Sequence, residues 1–240
     1  MRASRRDLLV ASLSGNVCAC NANKAGRWRW YDRYFAYSMA VGMQDYELEI
    51  AACKRRLFSE LFQSDIHTLL DVGMGTGPNL KFYGQQQSMQ IVGVDPNPEM
   101  ASYAVQAAND ANVSGELLHL LDGTAEQLPV PSTSQDAVVC TLVLCSVPSV
   151  QRALAEVQRV LKPGGKFLFI EHVVAPDKQL RLIQHLLNPL QQATADGCHL
   201  DRDTLCSIQS AGFAKVDVSS FTVPGLGLIG PHVAGIATKK

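Results

Sequence analysis

Thr68-Leu69-Leu70-Asp71-Val72-Gly73-Met74-Gly75-Thr76-Gly77-Pro78-Asn79 is the stretch that decides the fold. Its apolar opening reads as a buried strand, and the glycines after it as a tight turn. Pro78 falls where a first helical residue belongs, since proline's missing N–H goes unused there. Strand, glycine turn and helix start in that order let bare backbone lie flat against a ligand. The spacing narrows the choice of ligand. A dinucleotide fingerprint needs glycine at 73, 75 and 78, but Pro78 holds the last position and the third glycine comes early, at Gly77. Asp71 precedes the loop, giving Asp-x-Gly-x-Gly-x-Gly.

A glycine turn alone also fits an ordinary strand-to-helix connection. The second signal is Gln90-Ile91-Val92-Gly93-Val94, another strand, ending in Asp95, 20 residues after Gly75. In doubly wound folds an acid at this place accepts hydrogen bonds from both ribose hydroxyls. Asp95 also suits an N-cap for the helix after Pro96-Asn97-Pro98. The two features together favour a nucleotide.

The remaining chain fits one α/β domain with a terminal extension, since 240 residues can bury a sizeable core. A net charge of −1 gives no electrostatic footing for nucleic acid. The seven cysteines include no Cys-x-x-Cys pair, which argues against a metal site or disulfide framework and fits a reducing compartment. No apolar run approaches the roughly 20 residues that span a bilayer.

Residues 1–26 form a leader. Arg2, Arg5, Arg6 and Lys24 with several serines and one acid, Asp7, match an organelle transit peptide, which places the protein in a plastid or mitochondrion. A twin-arginine signal and a disordered tail are the other readings. Residues 27–66 form an aromatic and helical lid. Trp28, Trp30, Tyr31, Tyr34, Phe35 and Tyr37 crowd together among Arg27, Arg29 and Arg33, suited first to core or lid packing and second to a membrane surface. Asp45 to Phe62 follows as a single helix whose polar face, Lys54, Arg55 and Arg56, reads as solvated. Residues 67–240 form the main domain. Glu99 to Ala111 reads as a helix, Leu117 to Leu121 as the third strand, and the near-continuous apolar run Asp136 to Cys145 as a central strand. A helix marked by Val150, Leu154, Val157 and Leu161 ends in a tight turn at Lys162-Pro163-Gly164-Gly165. Phe167 to Ile170 is the fifth strand and delivers Glu171 and His172. Helices over Leu180 to Leu190, disturbed by Pro189, and over Arg202 to Ala211, capped by Asp201, lead to a hairpin of Val216 to Phe221 and Val233 to Thr238.

The loop from Asp71 to Gly77, with Asp95, resembles the donor loop of class I S-adenosylmethionine (SAM) methyltransferases. The alternating elements match their doubly wound, seven-stranded, mostly parallel Rossmann-like sheet. Cys140-Thr141-Leu142-Val143-Leu144-Cys145-Ser146-Val147, Glu171-His172-Val173, Asp196-Gly197-Cys198-His199-Leu200 and Pro231-His232 resemble the thiol S-methyltransferase branch, whose members are membrane- and lipid-droplet-associated. The likeness runs from about Tyr46 to the C-terminus. It implies SAM as cofactor, a small lipophilic thiol as acceptor, and peripheral membrane or lipid-droplet contact. The quinone-ring C-methyltransferases share most sheet motifs and are the alternative, with a non-catalytic SAM-binding protein as a third reading. The resemblance places the cofactor on Asp71, Gly73, Gly75, Gly77, Asp95 and Thr141. Where the family usually reads adenine with an acid, this chain has Thr124, so the backbone of Thr124 and Ala125 takes that role, or Asp122 or Glu126 does.

Methyl transfer from a sulfonium is an in-line displacement whose leaving group is neutral, and orientation alone supplies up to about 7–11 kcal/mol. A thiol with a pKa near ~8.5 is partly ionised at neutral pH, so a base adds little. Thr141, Leu142, Cys145, Glu171 and His172 stand at strand C-termini, where open α/β sheets bind ligands. His172 is the first candidate for a base and His199 the second, each weighed against a hydrogen-bonded structural histidine. Cys145 suits a core position better than a nucleophile's.

Overall fold

The computed structural model describes residues 29–86 and 88–240. The leader expected over 1–26, and Arg27 and Trp28 beyond it, lie outside the described residues. Three N-terminal helices, α1 (Arg29–Gly42), α2 (Gln44–Glu49) and α3 (Ala51–Leu61), precede β1 (Thr68–Val72). The chain continues through α4 (Leu80–Tyr83), β2 (Gln90–Asp95), α5 (Ala101–Asp110), β3 (Leu118–Asp122), β4 (Gln135–Thr141), α6 (Val150–Val160) and β5 (Leu161–His172). It ends with α7 (Lys178–Thr194), α8 (Thr204–Ser210), β6 (Lys215–Thr222) and β7 (Pro231–Thr238).

The strands form one seven-stranded sheet in the order β3-β2-β1-β4-β5-β7-β6. The pairs from β3 to β5 are parallel, and β7 runs antiparallel to both β5 and β6. The expected doubly wound architecture is present. The order reverses between β1 and β4, so their C-terminal ends open a crevice there.

Side chains that alternate along the central strands divide the core between the two faces. Leu70, Val72, Val138, Cys140, Phe167 and Phe169 pack on one face, against Val150, Ala153, Leu154, Val157 and Val160 of α6. Leu69, Ala137, Val139, Leu168 and Ile170 pack on the other, against Leu57, Phe58 and Leu61 of α3 and Ala104 and Ala108 of α5. Burying each such large side chain stabilises the fold by about 1.5–3 kcal/mol.

Local expectations were overturned at six places. Pro78 is not the first helical residue: Asn79 turns its buried side chain inward to Asp71 and Thr141, and α4 starts at Leu80. The helix expected over Asp45 to Phe62 breaks at Ile50, which lets Tyr46 and Ile50 pack with Val223 while α3 packs on the sheet. Lys54 is not solvated but 1% exposed, because that break folds Glu47 back onto its ammonium at 2.7 Å. A straight helix would hold residues seven apart about 10 Å apart along its axis. The turn at Lys162 to Gly165 is taken up inside β5, where the ladder shifts register between Gln135 and Ala137 and Gly164 sits at φ +76°. Finally, α8 is capped by Asp203, whose carboxylate accepts from Cys206 N–H, while Asp201 accepts from His185. Helix α7 also runs on through Pro189 to Thr194.

Candidate active site

Above the crevice lies a cavity of about 840 Å³, floored by the glycine loop and roofed by α1 and the loops after β4 and α7. That is room for a nucleotide-sized donor with a small acceptor beside it. A recess of about 140 Å³ adjoins it beside β2, lined in part by Gly75, Asp95 and Asp122.

Gly75 carries the floor. Its φ of +56° belongs to the left-handed region that glycine reaches without penalty, and a Cβ built there meets only Gly73 O, at 3.8 Å. The space before it is cavity, the cradle a ligand needs. Gly75 N–H donates to Asp95 Oδ2 at 2.9 Å, and Asn97 N–H to Asp95 Oδ1 at 2.8 Å. The carboxylate thus stands fixed at the end of β2, lining the cavity. Gly73, Thr124, Ala125 and Thr141 line the cavity too. Thr141 Oγ1 accepts from Asn79 Nδ2 at 3.2 Å.

Asp71 and Gly77 do not line it. Asp71 lies beneath the loop, 1% exposed, and accepts from Tyr83 Oη at 2.8 Å and Asn79 Nδ2 at 3.2 Å. Burial pushes its carboxyl up to about 6. A Cβ on Gly77 would come within 2.6 Å of Leu80 Cδ1 and 3.2 Å of Ala104 Cα, so this glycine lets the turn pack on α5. Glu171 is likewise part of the frame: it is fully buried, and its carboxylate accepts N–H bonds from Val143, Leu144 and Cys145 at 3.0, 3.0 and 3.2 Å. It holds the loop after β4, in which Leu142 has φ +58° and lines the cavity. Burial raises the Glu171 carboxyl to about 7.

Neither histidine proposed as a base reaches the cavity wall. His172 is buried behind it, with Nε2 at 2.9 Å from Cys198 Sγ and Nδ1 without a partner. His199 Nδ1 accepts from the Arg202 guanidinium at 3.0 Å, and Arg202 itself pins the carbonyls of Leu144 and Val147. Among the described residues no histidine lines the cavity.

The side chain that brings a histidine near is Tyr46, which sequence reasoning did not single out. His232 Nδ1 donates to Gly230 O at 2.8 Å, so its Nε2 accepts a hydrogen bond from the Tyr46 hydroxyl at 3.1 Å. Burial lowers His232 to about 4 and raises Tyr46 well above the usual phenol range. Both stay neutral, and Tyr46 lines the cavity. The Pro231-His232 motif was the only sequence signal for this pair. The Lys54–Glu47 pair also lines the cavity; burial lowers Lys54 and Glu47 opposes the shift.

Around His172 the fold gathers Cys145, His172 and Cys198, all buried, with their donor atoms within 4.8 Å of one another. The neighbouring Cys145 thiol and His172 hold Cys198 well below the ordinary thiol range, while Cys198 and burial push Cys145 above it. Its members come from three distant segments, so no spacing along the sequence brings them together.

A glycine-floored crevice at the switch point, with a carboxylate fixed at the end of β2, is the site of a class I SAM-dependent methyltransferase. The comparisons agree. A family described as a methyltransferase domain matches residues 70–169. Thiol S-methyltransferase TMT1B of Rattus norvegicus is 38% identical over 213 residues, 86% of either chain. Thiol S-methyltransferase TMT1A of Homo sapiens is 36% identical over 225 residues, 90% of this chain and 91% of its own. The solved structure of the Bacillus subtilis YcgJ protein, 19% identical, matches the fold with a TM-score of 0.61 over 76% of this chain and 96% of its own. The chain belongs to the thiol S-methyltransferase family of SAM-dependent methyltransferases.

Proposed function

We propose that the enzyme methylates the sulfur of a small lipophilic thiol. The observation that carries this reading is the wall facing the glycine loop. Phe35, Met39, Met43, Leu142, Val143 and Val147 make it apolar, and among the described residues it presents no histidine. An apolar acceptor fits there, and a thiol suits it better than an acceptor that relies on a histidine base. A thiol ionises by itself near neutral pH, whereas a quinol ring carbon needs activation. The likeness to two thiol S-methyltransferases supports the same acceptor.

Bound SAM supplies an electrophilic methyl group on sulfur. The chain's own part is to orient. Gly73 and Gly75 leave room for the donor, and Asp95 takes the ribose hydroxyls. Thr124 and Ala125 offer backbone to adenine. Tyr46, its hydroxyl held on His232, packs beside the acceptor, while α1 shields the site from water. A panel of aliphatic thiols and demethylated quinols, read out as S-adenosylhomocysteine, tests the reading. Turnover of the thiols supports it; turnover of quinols alone replaces it with ring C-methylation.

We further propose that residues 1–26 direct the protein to a plastid or mitochondrion and that the folded part contacts lipid from one side. The Arg- and Ser-rich composition supports the address. Leu182, Leu186 and Leu190, exposed on one face of α7, support the contact. Among the described residues no helix is long and apolar enough to cross a membrane. A reporter fused to the leader that stayed in the cytosol would remove the address. Protein that fails to float with vesicles would remove the contact.

A further inference from the structure

We propose that Cys145, His172 and Cys198 form a Zn²⁺ site that pins the roof of the acceptor cavity. The three donors come from different elements: Cys145 from the loop after β4, His172 from the last position of β5, and Cys198 from the loop after α7. Their ligand atoms lie within 4.8 Å of one another, and His172 Nε2 is 2.9 Å from Cys198 Sγ. At Zn–S of ~2.3 Å and Zn–N of ~2.0 Å a tetrahedral ion sets its ligands roughly 3.5–3.8 Å apart. Shifts of about an ångström at side-chain tips meet that geometry.

The chemistry matches as well. Two thiolates and an imidazole are a preferred zinc set, and two thiolates cancel the ion's charge, so the group can be buried without an unpaired ion. His172 presents Nε2, the nitrogen 2.9 Å from Cys198 Sγ, and ligation there places the ring proton on Nδ1. With three protein ligands the fourth position stays open to water or another small ligand.

The consequence lies next door in sequence. Ser146 follows Cys145, Gly197 precedes Cys198, and both line the cavity. An ion would join two roof loops that otherwise meet through His199 N–H on Cys145 O, at 2.9 Å, and through Arg202. The proposal does not rest on the acceptor being a thiol, and its first readout needs no turnover.

The test uses the full chain carrying Cys18→Ser and Cys20→Ser, which removes the other close pair of thiols. The protein is stripped with a chelator under reducing conditions and titrated with Co²⁺. The expected result is one equivalent bound, with thiolate-to-cobalt charge transfer and the strong visible bands of a tetrahedral ion, displaced by Zn²⁺. Zn²⁺ should also raise the melting temperature and lower the acceptor KM severalfold, with a smaller change in SAM affinity. Cys198→Ser should abolish the charge-transfer band, while Cys206→Ser, an exposed thiol, should keep it. If Cys198→Ser does not fold, the titration of the parent protein decides alone. Stripped protein with its thiols reduced that shows no charge-transfer band, or a band that survives Cys198→Ser, overturns the proposal.

Discussion

Gly75 N–H and the Asp95 carboxylate are joined across 2.9 Å, so the glycine loop and the acid at the end of β2 form one unit. The carboxylate that is to hold the ribose also shapes the loop beneath the donor. Asp95→Ala should therefore weaken SAM binding by roughly 10–100-fold, the effect of about 1.5–3 kcal/mol. The apo protein should also melt somewhat earlier, because Gly75 and Asn97 each lose an acceptor. Calorimetry giving the parent affinity for Asp95→Ala would show that this residue is not the ribose ligand.

The glycines at 75 and 77 should fail differently. Both need a left-handed backbone, so an alanine at either costs about 1–2 kcal/mol. Gly75→Ala sends its methyl into the cavity and should reduce SAM affinity well beyond its effect on the melt. Gly77→Ala drives its methyl into Leu80 and Ala104 and should reduce stability first. Paired melts and binding isotherms check this, and equal profiles for the two variants would refute the assignment.

Lys54→Met removes a buried cation from Glu47. Breaking such a pair costs about 3–5 kcal/mol when the partner is left stranded. The lower end is expected, since Lys81 remains 3.4 Å from Glu47. Adding Glu47→Gln should restore part of the loss in chemical denaturation; no recovery would mean that packing, not charge, governs the site.

Glu171 gives a pH signature. Its folded carboxyl, at about 7, titrates above the ordinary 4.5 because burial disfavours the charge. A raised folded value means stability that is fully present below the unfolded pKa and is lost as pH rises through the folded one. The melting advantage of the parent over Glu171→Gln should thus shrink between about pH 4.5 and 7. An advantage that grows over that window would contradict this burial account.

How far the sequence carried depended on how local each cause was. The strand, turn and second strand around Gly75 and Asp95 are written in adjacent residues, and the sheet follows from alternating elements. Lys54 could not be read as buried, because its partner reaches it only through the break at Ile50. His172 stood correctly at a strand end, but which face it turns toward depends on Cys145 and Cys198, far off in the chain. Glu171 stood among the strand-end candidates, but the loop after β4 aims three N–H groups at it and makes it part of the frame. Tyr46 meets His232 across the whole length of the domain, and no spacing rule links them.

The most direct measurement is kcat/KM against pH for a series of aliphatic thiols of different acidity. With no histidine on the cavity wall among the described residues, the substrate's own ionisation is expected to set the rate. The midpoint of each profile should follow the pKa of the thiol used, with the S-methyl product formed throughout. A single midpoint shared by every thiol, or no S-methyl product from any of them, would contradict the account.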